Sequence, residues 1–286
     1  MYLWVLVLPA LLVILFTQAY PFIYSLILSF RQWTLSESDV PLGFTLGNYK
    51  QAVTNANFWY SCRVSIIFMF KTIIVELIIG FFVAYLFIGS SRMIKVARTI
   101  VLIPMAIAPV VSGNMWRILF DAKSGLINLI LRSFGITGPN WLGDPTWAVN
   151  AIVIASIWQY VSFSFLIYTA YMTSIPNTLI EAAKIDGATR WGIIKHIYVP
   201  MTMQATLLIL IFRIVDAFFI FDQVYTLTSG GPGTATQVIS LYIYNEGLTY
   251  FHIGYSAACS WVVMIFVFII CGFILKLKDK VADNYN

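Results

Sequence analysis

The sequence predicts an all-α membrane protein, because of its composition and the length of its apolar runs. Of its 286 residues, 60% are hydrophobic and 10% are charged, and the mean hydropathy is +0.86. The apolar residues gather in several runs of about 20, the number that an α-helix needs to cross the hydrocarbon core of a bilayer. An ordinary soluble domain is excluded. The unbroken runs also argue against a transmembrane barrel, whose strands alternate apolar and polar residues.

Six transmembrane spans are predicted when the chain is read in windows of about 19 residues. They cover residues 4–29, 61–88, 99–120, 149–172, 202–227 and 254–276. We interpret residues 1–286 as a single transmembrane domain. The first run has no basic stretch before it and no small-x-small cleavage site, so we expect it to stay in the mature protein. Pro9 and Pro21 are expected to kink the first span, and Pro104 and Pro109 the third, because proline removes a backbone donor.

The distribution of basic residues between the loops predicts the orientation of the chain. Nine lie in or beside loops 89–98, 173–201 and 277–286, namely Arg92, Lys95, Arg98, Lys184, Arg190, Lys195, Lys276, Lys278 and Lys280. The opposite loops hold four, which are Arg31, Lys50, Lys123 and Arg132. Since loops rich in lysine and arginine stay in the cytoplasm, the larger group and both termini are predicted to be cytoplasmic. The net charge of +5 is thus a topology signal and requires no nucleic-acid partner.

The cysteines and histidines show no pattern that predicts a disulfide or a metal site. Cys62, Cys259 and Cys271 have neither the pairing nor the spacing of such sites, and we interpret them as side chains of the membrane core. His196 is interpreted as a loop residue, and His252 as a surface residue near the outer end of the last span.

A polar loop of residues 174–200 lies between the fourth and fifth spans. Its ionisable residues cannot lie in lipid, and they are Glu181, Lys184, Asp186, Arg190, Lys195 and His196. Pro176 can begin a helix with Ser174 as a cap before it, and Gly187 can end that helix in the left-handed conformation. Residues 188–198 can then form a second helix.

Two interpretations of this helix pair remain open. The second helix carries Trp191, Ile194 and Ile197 at intervals of three residues on one face, as in an amphipathic hairpin that lies at the membrane interface. Alternatively, the pair Ala182-Ala183 is small enough for another backbone to approach, and Glu181 can accept a bidentate arginine. The second interpretation describes a docking site for a soluble partner.

The motif in this loop resembles the EAA loop of the permease subunits of binding-protein-dependent ABC importers. The matching residues are Glu181-Ala182-Ala183, Asp186-Gly187-Ala188, Ile197 and Val199-Pro200. Ile194 departs from the pattern because an aromatic residue is common there, and Val199 departs because leucine is common. The resemblance implies a type I ABC importer permease fold with six transmembrane helices and a cytoplasmic coupling-helix loop. In it Glu181 would contact the ATPase subunit, and Gly187 would form the bend.

Other segments resemble the carbohydrate-uptake branch of these importers, specifically the maltose and glycerol-phosphate permease type. They are Gly43, Gly47-Asn48-Tyr49, Gly125-Leu126-Ile127-Asn128, Trp141-Leu142 and Leu227-Thr228-Ser229-Gly230-Gly231-Pro232. This resemblance implies a bacterial-type cytoplasmic (inner) membrane, a second homologous permease subunit, two ATPase subunits and an extracytoplasmic solute-binding protein. That binding protein would meet the outer loops, including residues 31–60 and 228–252.

The chain itself is predicted to be a transport subunit and no enzyme. It contains no G-x-x-x-x-G-K-[ST] sequence, so the phosphate-binding loop for ATP must come from another polypeptide. ATP and magnesium are therefore expected in the partner ATPase subunits, with no cofactor in this chain. An intramembrane enzyme would require a nucleophile with a base, or a cluster of metal ligands, and neither occurs at a useful spacing.

Ionisable residues inside the fifth span suggest a substrate pathway, because such residues are costly in a membrane. Arg213 lies 13 residues beyond Pro200, which is roughly 20 Å along a helix and near the middle of the bilayer. Asp216 follows at i+3, and Asp222 lies near the outer end. Arg213 and Asp216 either neutralise each other inside the bundle or contact a polar solute.

The fourth span carries hydroxyl groups and aromatic rings on one face. Tyr160, Ser164, Tyr168 and Tyr171 recur at i, i+4, i+8 and i+11. Such a face suits a sugar, and Tyr160 and Ser164 are candidate contacts. Tyr168 and Tyr171 approach the cytoplasmic interface, where tyrosine is enriched for reasons of solvation alone.

The second span contains two further ionisable residues, Lys71 and Glu76. An offset of five residues places them about 140° apart around the helix, so each is expected to have a partner on another helix or on the second permease.

A sugar or oligosaccharide is the first choice of solute, because of the aromatic face and the resemblance. Glycerol-phosphate is the second, because Arg213 could meet a phosphate. A secondary transporter coupled to ions through Lys71, Glu76, Arg213 and Asp216 is the third alternative. The motif of the loop and the lack of a visible inverted repeat argue against it.

Overall fold

The computed structural model describes residues 2–283, with side chains from Val7 to Lys278 except Ala10. The regular secondary structure of these residues is helical. The first eight helices are α1 (Tyr2–Ile14), α2 (Tyr20–Ser29), α3 (Gly47–Thr54), α4 (Ala56–Leu86), α5 (Arg92–Leu102), α6 (Pro109–Leu119), α7 (Leu126–Ser133) and α8 (Pro145–Ser174). The others are α9 (Asn177–Ile185), α10 (Arg190–Ile193), α11 (Val199–Met201), α12 (Met203–Phe218), α13 (Asp222–Thr228), α14 (Ile239–Tyr244) and α15 (Ile253–Asp283). Residues 2–283 contain no β-strand, and an isolated bridge joins Arg31 to Phe44.

Four helical segments are long and apolar enough to cross a membrane. They are Val7–Ser29, Ala56–Leu86, Pro145–Ser174 and Ile253–Lys278. Two bent helix pairs meet the same criteria, which gives up to six spans if each pair is one span. The observed helices overlap every run that the sequence predicts, while the number of six spans stays a prediction.

The third apolar run is broken in the region where its prolines lie, as predicted. Arg92–Ala106 and Pro109–Leu119 meet at a bend of 96°. Pro104 lies in a 3₁₀ turn, Ile103–Ala106, and Pro109 begins α6. Proline lacks the backbone N–H that would continue the α-helical ladder, so the carbonyl groups before the break need other donors.

Side chains of α8 supply donors to two of these carbonyl groups. Gln159 donates its side-chain amide to the carbonyl of Ile107 at 2.7 Å. One turn further along α8, the hydroxyl of Ser162 donates to the carbonyl of Val101 at 2.6 Å. Hydrogen bonds from one long helix, α8, therefore stabilise the break at two points.

The fifth apolar run is shorter as a helix than its hydropathy suggests. Helix α12 ends at Phe218, and a separate helix, α13, begins at Asp222. The predicted span of residues 202–227 therefore contains an interruption. Because residues 219–221 are all apolar, a hydropathy window averages across the break. On its other side, α12 follows Arg190–Met201 at a bend of 59°.

The first run is also interrupted, by a π-helical turn. Leu15–Ala19 forms this turn between α1 and α2. Pro9 lies inside α1, and Pro21 falls in the first turn of α2, where a missing N–H costs little.

The chain divides into two compact units. One contains the chain up to Cys62 together with Ile239–Phe268. In this unit Asn48 donates to the carbonyl groups of Ser29 and Arg31 at 3.0 and 2.8 Å, which fixes the segment after α2. The hydroxyl groups of Tyr242 and Tyr255 are 3.0 Å apart in its interior.

The other unit contains Arg63–Val238 and the chain from Ile269. In it Gly80 of α4 packs closely against Ser164 of α8, since a Cβ atom at Gly80 would lie 2.6 Å from that of Ser164. Small residues allow such close approach between membrane helices. The prediction that residues 1–286 form a single domain stays a prediction.

Candidate functional site

The bend in the EAA loop (residues 174–200) is built at Gly187, as the sequence predicts. Helix α9 ends at Ile185, and Gly187 has a φ of +80°, which glycine adopts without strain. The amides of Gly187 and Ala188 donate to the carbonyl groups of Lys184 and Ala183, at 3.1 and 2.9 Å. These two bonds are the Schellman pattern of a helix C-terminus.

The start of α9 differs from the expectation. Ser174 does not cap the helix, since its hydroxyl donates to the carbonyl of Tyr171 at 2.8 Å within α8. Pro176 occupies the cap position without a side-chain bond.

The second helix of the loop is a short α-helix that continues as a π-helical turn. Thr189 caps α10, its hydroxyl accepting from the amide of Gly192 at 3.1 Å. A π-helical turn, Ile194–Tyr198, follows and leads into α11. The wider turn changes which side chains share a face. Trp191 is exposed, Ile194 is buried and Ile197 is half-buried, so these three residues do not share one equally buried face as predicted.

Buried side chains anchor the loop to the helix bundle. Ile175, Ile193 and Tyr198 belong to one apolar cluster with residues of α4, α8 and α12. The ring of Tyr198 packs edge-on against that of Tyr85, with centroids 5.2 Å apart. A movement of the loop is thus transmitted to the bundle by direct packing.

The opposite surface of the loop is exposed. Glu181 makes no hydrogen bond or ion pair with a described residue, and its carboxylate is open to solvent. The other predicted coupling residues divide by exposure: Ala182, Asp186, Gly187 and Ala188 are exposed, whereas Ala183, Ile197 and Pro200 are half-buried.

Two large apolar side chains also lie on this surface, and sequence reasoning missed their role. Ile185 is 86% exposed and Trp191 is 62% exposed. The signal that could have identified them is their position next to the bend at Gly187, where no buried face is available. Exposed apolar groups that adjoin one another on a surface mark interaction sites.

The centre of α12 carries a buried ion pair that joins it to α4. Arg213 donates to both carboxylate oxygens of Glu76, through Nε at 2.7 Å and through a terminal nitrogen at 3.0 Å. The side chains are 1% and 0% exposed. This bidentate geometry is the strongest form of an arginine–carboxylate pair.

The structure gives Arg213 a partner that neither interpretation of this residue named. Asp216 lies 3.4 Å from the guanidinium and is 56% exposed, so it is the weaker partner. The ring of Tyr160 lies below the guanidinium carbon, 3.8 Å from it, which is a cation–π contact. Arg213 is thus held by Glu76, and sequence reasoning, which paired it with Asp216, missed the main partner.

A cavity of about 250 Å³ adjoins this pair. Its polar lining includes Tyr160, Asp216 and Asp222, three of the predicted pathway residues, and Phe219 and Phe221 contribute aromatic rings. The interruption after α12 is the reason for this arrangement, because it places Asp222 and the two phenylalanines at one opening.

Two predicted pathway residues do not line the cavity. Ser164 is buried against Gly80, and its hydroxyl has no hydrogen-bond partner among the described residues. Arg213 is buried beside the cavity without lining it. Tyr168, on the same face of α8 as Ser164, is buried, and its hydroxyl lies 2.9 Å from that of Thr206.

A chain of buried amides, also missed at the sequence level, borders the cavity. Gln223 lines it and donates to the side-chain oxygen of Gln159 at 2.6 Å. The side-chain oxygen of Gln223 is buried and has no partner among the described residues.

Other ionisable residues have local roles. Lys71 donates to Asn150 at 3.0 Å. His252 lies 2.8 Å from Glu246, and His196 contacts the carbonyl of Gly192 at 3.0 Å. Among the described residues, no three His, Cys, Asp or Glu side chains form a group that could hold a metal ion.

Helices long and apolar enough to cross a membrane, a cavity with a polar lining and a loop anchored by buried side chains are together typical of a polytopic membrane protein. The chain belongs to the family of binding-protein-dependent transport system inner membrane components, whose family model matches residues 40–282. It is therefore the permease subunit of a binding-protein-dependent ABC importer, and a transport subunit of the inner membrane.

Two relatives illustrate the range of solutes in this family. The chain is 37% identical over 234 residues to the trehalose/maltose transport system permease protein MalF of Thermococcus litoralis, covering 82% of this chain and 78% of the relative. It is 30% identical over 239 residues to the sn-glycerol-3-phosphate transport system permease protein UgpA of Agrobacterium fabrum, covering 82% of this chain and 80% of the relative.

The fold also matches a solved structure. A chain of a bacterial ABC transporter involved in the import of the acidic polysaccharide alginate superposes with a TM-score of 0.85 at 21% identity, covering 98% of this chain and 95% of that one. The same transporter has been solved in complex with an alginate pentasaccharide-bound periplasmic protein. At this identity the match shows the fold.

Proposed function

We propose that this chain forms half of the translocation pathway of an ATP-driven importer for a sugar or oligosaccharide. A second homologous permease supplies the other half. Two ATPase subunits bind ATP and magnesium and dock on the EAA loop, and an extracytoplasmic binding protein delivers the solute. Both termini and the EAA loop lie in the cytoplasm, in agreement with the distribution of basic residues.

The charge of the cavity lining is the reason that we propose a neutral sugar as the solute. Arg213 is neutralised by Glu76 and lies behind the cavity wall. The charged groups of the lining are the carboxylates of Asp216 and Asp222. An anionic solute would meet two like charges there, whereas a neutral sugar would donate its hydroxyl groups to them. The phosphate contact that made glycerol-phosphate an alternative is therefore disfavoured.

The remaining lining agrees with a sugar. Tyr160, Phe219 and Phe221 offer ring faces on which the apolar face of a pyranose can pack, and Gln223 offers the unpartnered oxygen. The volume of about 250 Å³ is below the range of roughly 300–1,000 Å³ that encloses a drug-sized ligand. That shortfall is expected if the second permease supplies the opposite wall.

The exposed surface of the EAA loop supports the coupling role. Glu181 presents a free carboxylate beside Ala182. Ile185 and Trp191 expose apolar surface to water, which is unfavourable. A partner with an arginine and an apolar cleft would match this surface. Alternating access would then follow as the ATPase moves the loop and its buried anchors as one body.

Uptake by the complete importer tests the solute. We expect accumulation of radiolabelled maltose or trehalose and none of sn-glycerol-3-phosphate. Asp216→Asn should lower sugar uptake about tenfold or more, because a hydrogen bond to a charged acceptor contributes about 1.5–3 kcal/mol. Asp279→Asn, the same change near the C-terminal end of α15 and outside the loops expected to meet the binding protein, is the control. Uptake of sn-glycerol-3-phosphate without uptake of maltose or trehalose would refute the proposal.

Co-purification with the ATPase subunits tests the coupling. Glu181→Ala and Ile185→Ser should each reduce ATPase retention and ATP-driven uptake while the permease stays inserted in the membrane. Lys95→Ala removes a charge from an exposed position of α5, outside this loop, and is the control. Normal uptake and retention in both variants would exclude the loop as the docking site.

A further inference from the structure

Two segments noted for their resemblance to carbohydrate importers, 125–128 and 141–142, meet at the short helix α7. Trp141 donates its indole N–H to the side-chain oxygen of Asn128 at 2.7 Å. Asn128 is buried, and its side-chain nitrogen donates to the carbonyl groups of Ala122 and Pro139, at 3.1 Å each. The loop between α6 and α8 is therefore a fixed structure that holds α7 in one orientation.

This orientation turns the hydrogen-bonding side chains of α7 onto the backbone of the loop. Arg132, one turn after Asn128, donates its guanidinium to the carbonyl groups of Ala122 and Lys123, at 3.0 and 3.2 Å. The opposite side of the helix is apolar. Its large side chains that are about half exposed or more are Leu126, Leu129, Ile130 and, at the C-terminal cap, Phe134. A helix on the surface of a soluble domain has the reverse arrangement, with its apolar side inward.

An aromatic cluster indicates the depth at which α7 lies. The ring of Trp141 packs against those of Phe120 and Trp147, with centroids 5.1 Å apart in both contacts. Tryptophan is enriched where a membrane meets water. Trp147 lies in the first turn of α8, whose 30 residues extend about 45 Å, so its ends reach beyond a hydrocarbon core of roughly 30 Å. The cluster and α7 therefore lie at one membrane interface, and the EAA loop follows the other end of α8.

A soluble partner explains the apolar side of α7 less well than lipid does. The binding protein of the proposed importer delivers its solute and must leave again, which would return four large apolar side chains to water. Lipid is a permanent neighbour at this depth. Ile118, in the last turn of α6, is also exposed, so the apolar surface is not confined to α7.

We propose that α7 is an interfacial anchor whose apolar side lies among phospholipid acyl chains just below the headgroups. Amphipathic helices at an interface bury their apolar side about 5–10 Å into this boundary. Asn128 and Arg132 fasten the anchor to the bundle from the other side. Because α6 begins at the 96° break and leads into α7, the anchor fixes the far end of this broken run relative to the membrane. This role requires a membrane permease and does not depend on the solute.

Photo-crosslinking tests the neighbour of α7. The complete importer is reconstituted in vesicles of phosphatidylethanolamine and phosphatidylglycerol. A photoreactive phenylalanine analogue in place of Phe134 should form a phospholipid adduct, detected by mass spectrometry, with and without the binding protein. The same analogue in place of Lys123, an exposed residue on the polar side of α7, is the control and should form none. Crosslinks from position 134 to the binding protein or to a second permease, or equal lipid adducts from both positions, would overturn the proposal.

Substitution tests whether the apolar side holds the helix in place. With Leu129→Glu and Ile130→Glu together, the lipid adduct from position 134 should be lost, because the carboxylates draw this side toward water. Leu129→Met with Ile130→Met keeps an apolar side and should keep the adduct. Retention of the ATPase subunits should be normal in both variants, which shows that the bundle is folded. An unchanged adduct in the glutamate variant would overturn the proposal.

Discussion

Breaking the buried pair between Glu76 and Arg213 should be among the most destabilising single changes in this chain. Glu76→Gln keeps the shape of the side chain but removes the charge that two hydrogen bonds of 2.7 and 3.0 Å engage. Removing one partner of a buried ion pair costs about 3–5 kcal/mol, because the other charge is left uncompensated.

The magnitude follows from the groups that remain. Asp216 at 3.4 Å and the ring of Tyr160 at 3.8 Å still face the guanidinium. A cation–π contact contributes about 0.5–2 kcal/mol, and a largely exposed carboxylate adds little. A net loss of about 3 kcal/mol remains. At about 2–4 °C per kcal/mol for a chain of this size, the midpoint of thermal unfolding should fall by roughly 6–12 °C.

A double-mutant cycle gives the assay. The unfolding midpoint is measured in detergent from tryptophan fluorescence for the native chain, for Glu76→Gln, for Glu76→Leu and Arg213→Met separately, and for the variant that carries both of the last two. Replacing a buried pair by apolar residues of similar volume is often neutral, so the double variant should recover most of the loss. A shift below about 2 °C for Glu76→Gln, or a double variant no better than the sum of its singles, would refute the reasoning.

Three further expectations can be checked on the same material. Gly80→Ala should lower the unfolding midpoint, because its Cβ would lie 2.6 Å from that of Ser164, whereas Gly272→Ala, with nothing within 4 Å, should be tolerated; equal midpoints would contradict this. Gly187→Ala should strain the loop by about 1–2 kcal/mol, since its φ is +80°, and should lower ATP-driven uptake more than Gly187→Asn. Hydrogen bonds from the backbone of Ser124 lower the pKa of Asp121, so this carboxylate stabilises its turn above its ordinary pKa. That stabilisation should be lost as pH falls through the lowered value. Protection factors for amide hydrogen exchange around residue 124 that do not change with pH would argue against it.

Local signals in the sequence were sufficient for much of this structure. The apolar runs located the helices, the prolines located the 96° break, and Gly187 located the bend of the EAA loop. Each of these depends on residues close together in the chain, where backbone chemistry leaves few alternatives. The motif around Glu181 identified the family for the same reason.

Contacts between distant residues were not accessible to the same reasoning. Glu76 and Arg213 each showed the need for a partner, but the pair spans 137 residues, and Asp216 at i+3 was the nearer choice. Which residues of the loop are buried depends on packing against distant helices, as for Ile193 and Tyr198, and the spacing of residues within the loop does not show it. The break after Phe218 is invisible to hydropathy because residues 219–221, which form it, are all apolar.

The same ion pair has a consequence for how the protein is made. Chains are synthesised from the N-terminus at about 5–20 residues per second, and 137 residues separate Glu76 from Arg213. Glu76 is therefore synthesised roughly 7–27 s before its counter-charge exists. During that interval α4 carries an acidic group that the lipid cannot accommodate well. When α12 is synthesised, Arg213 pairs with Glu76 and joins the two helices. We therefore expect α4 to insert first and to be stabilised only after α12 follows.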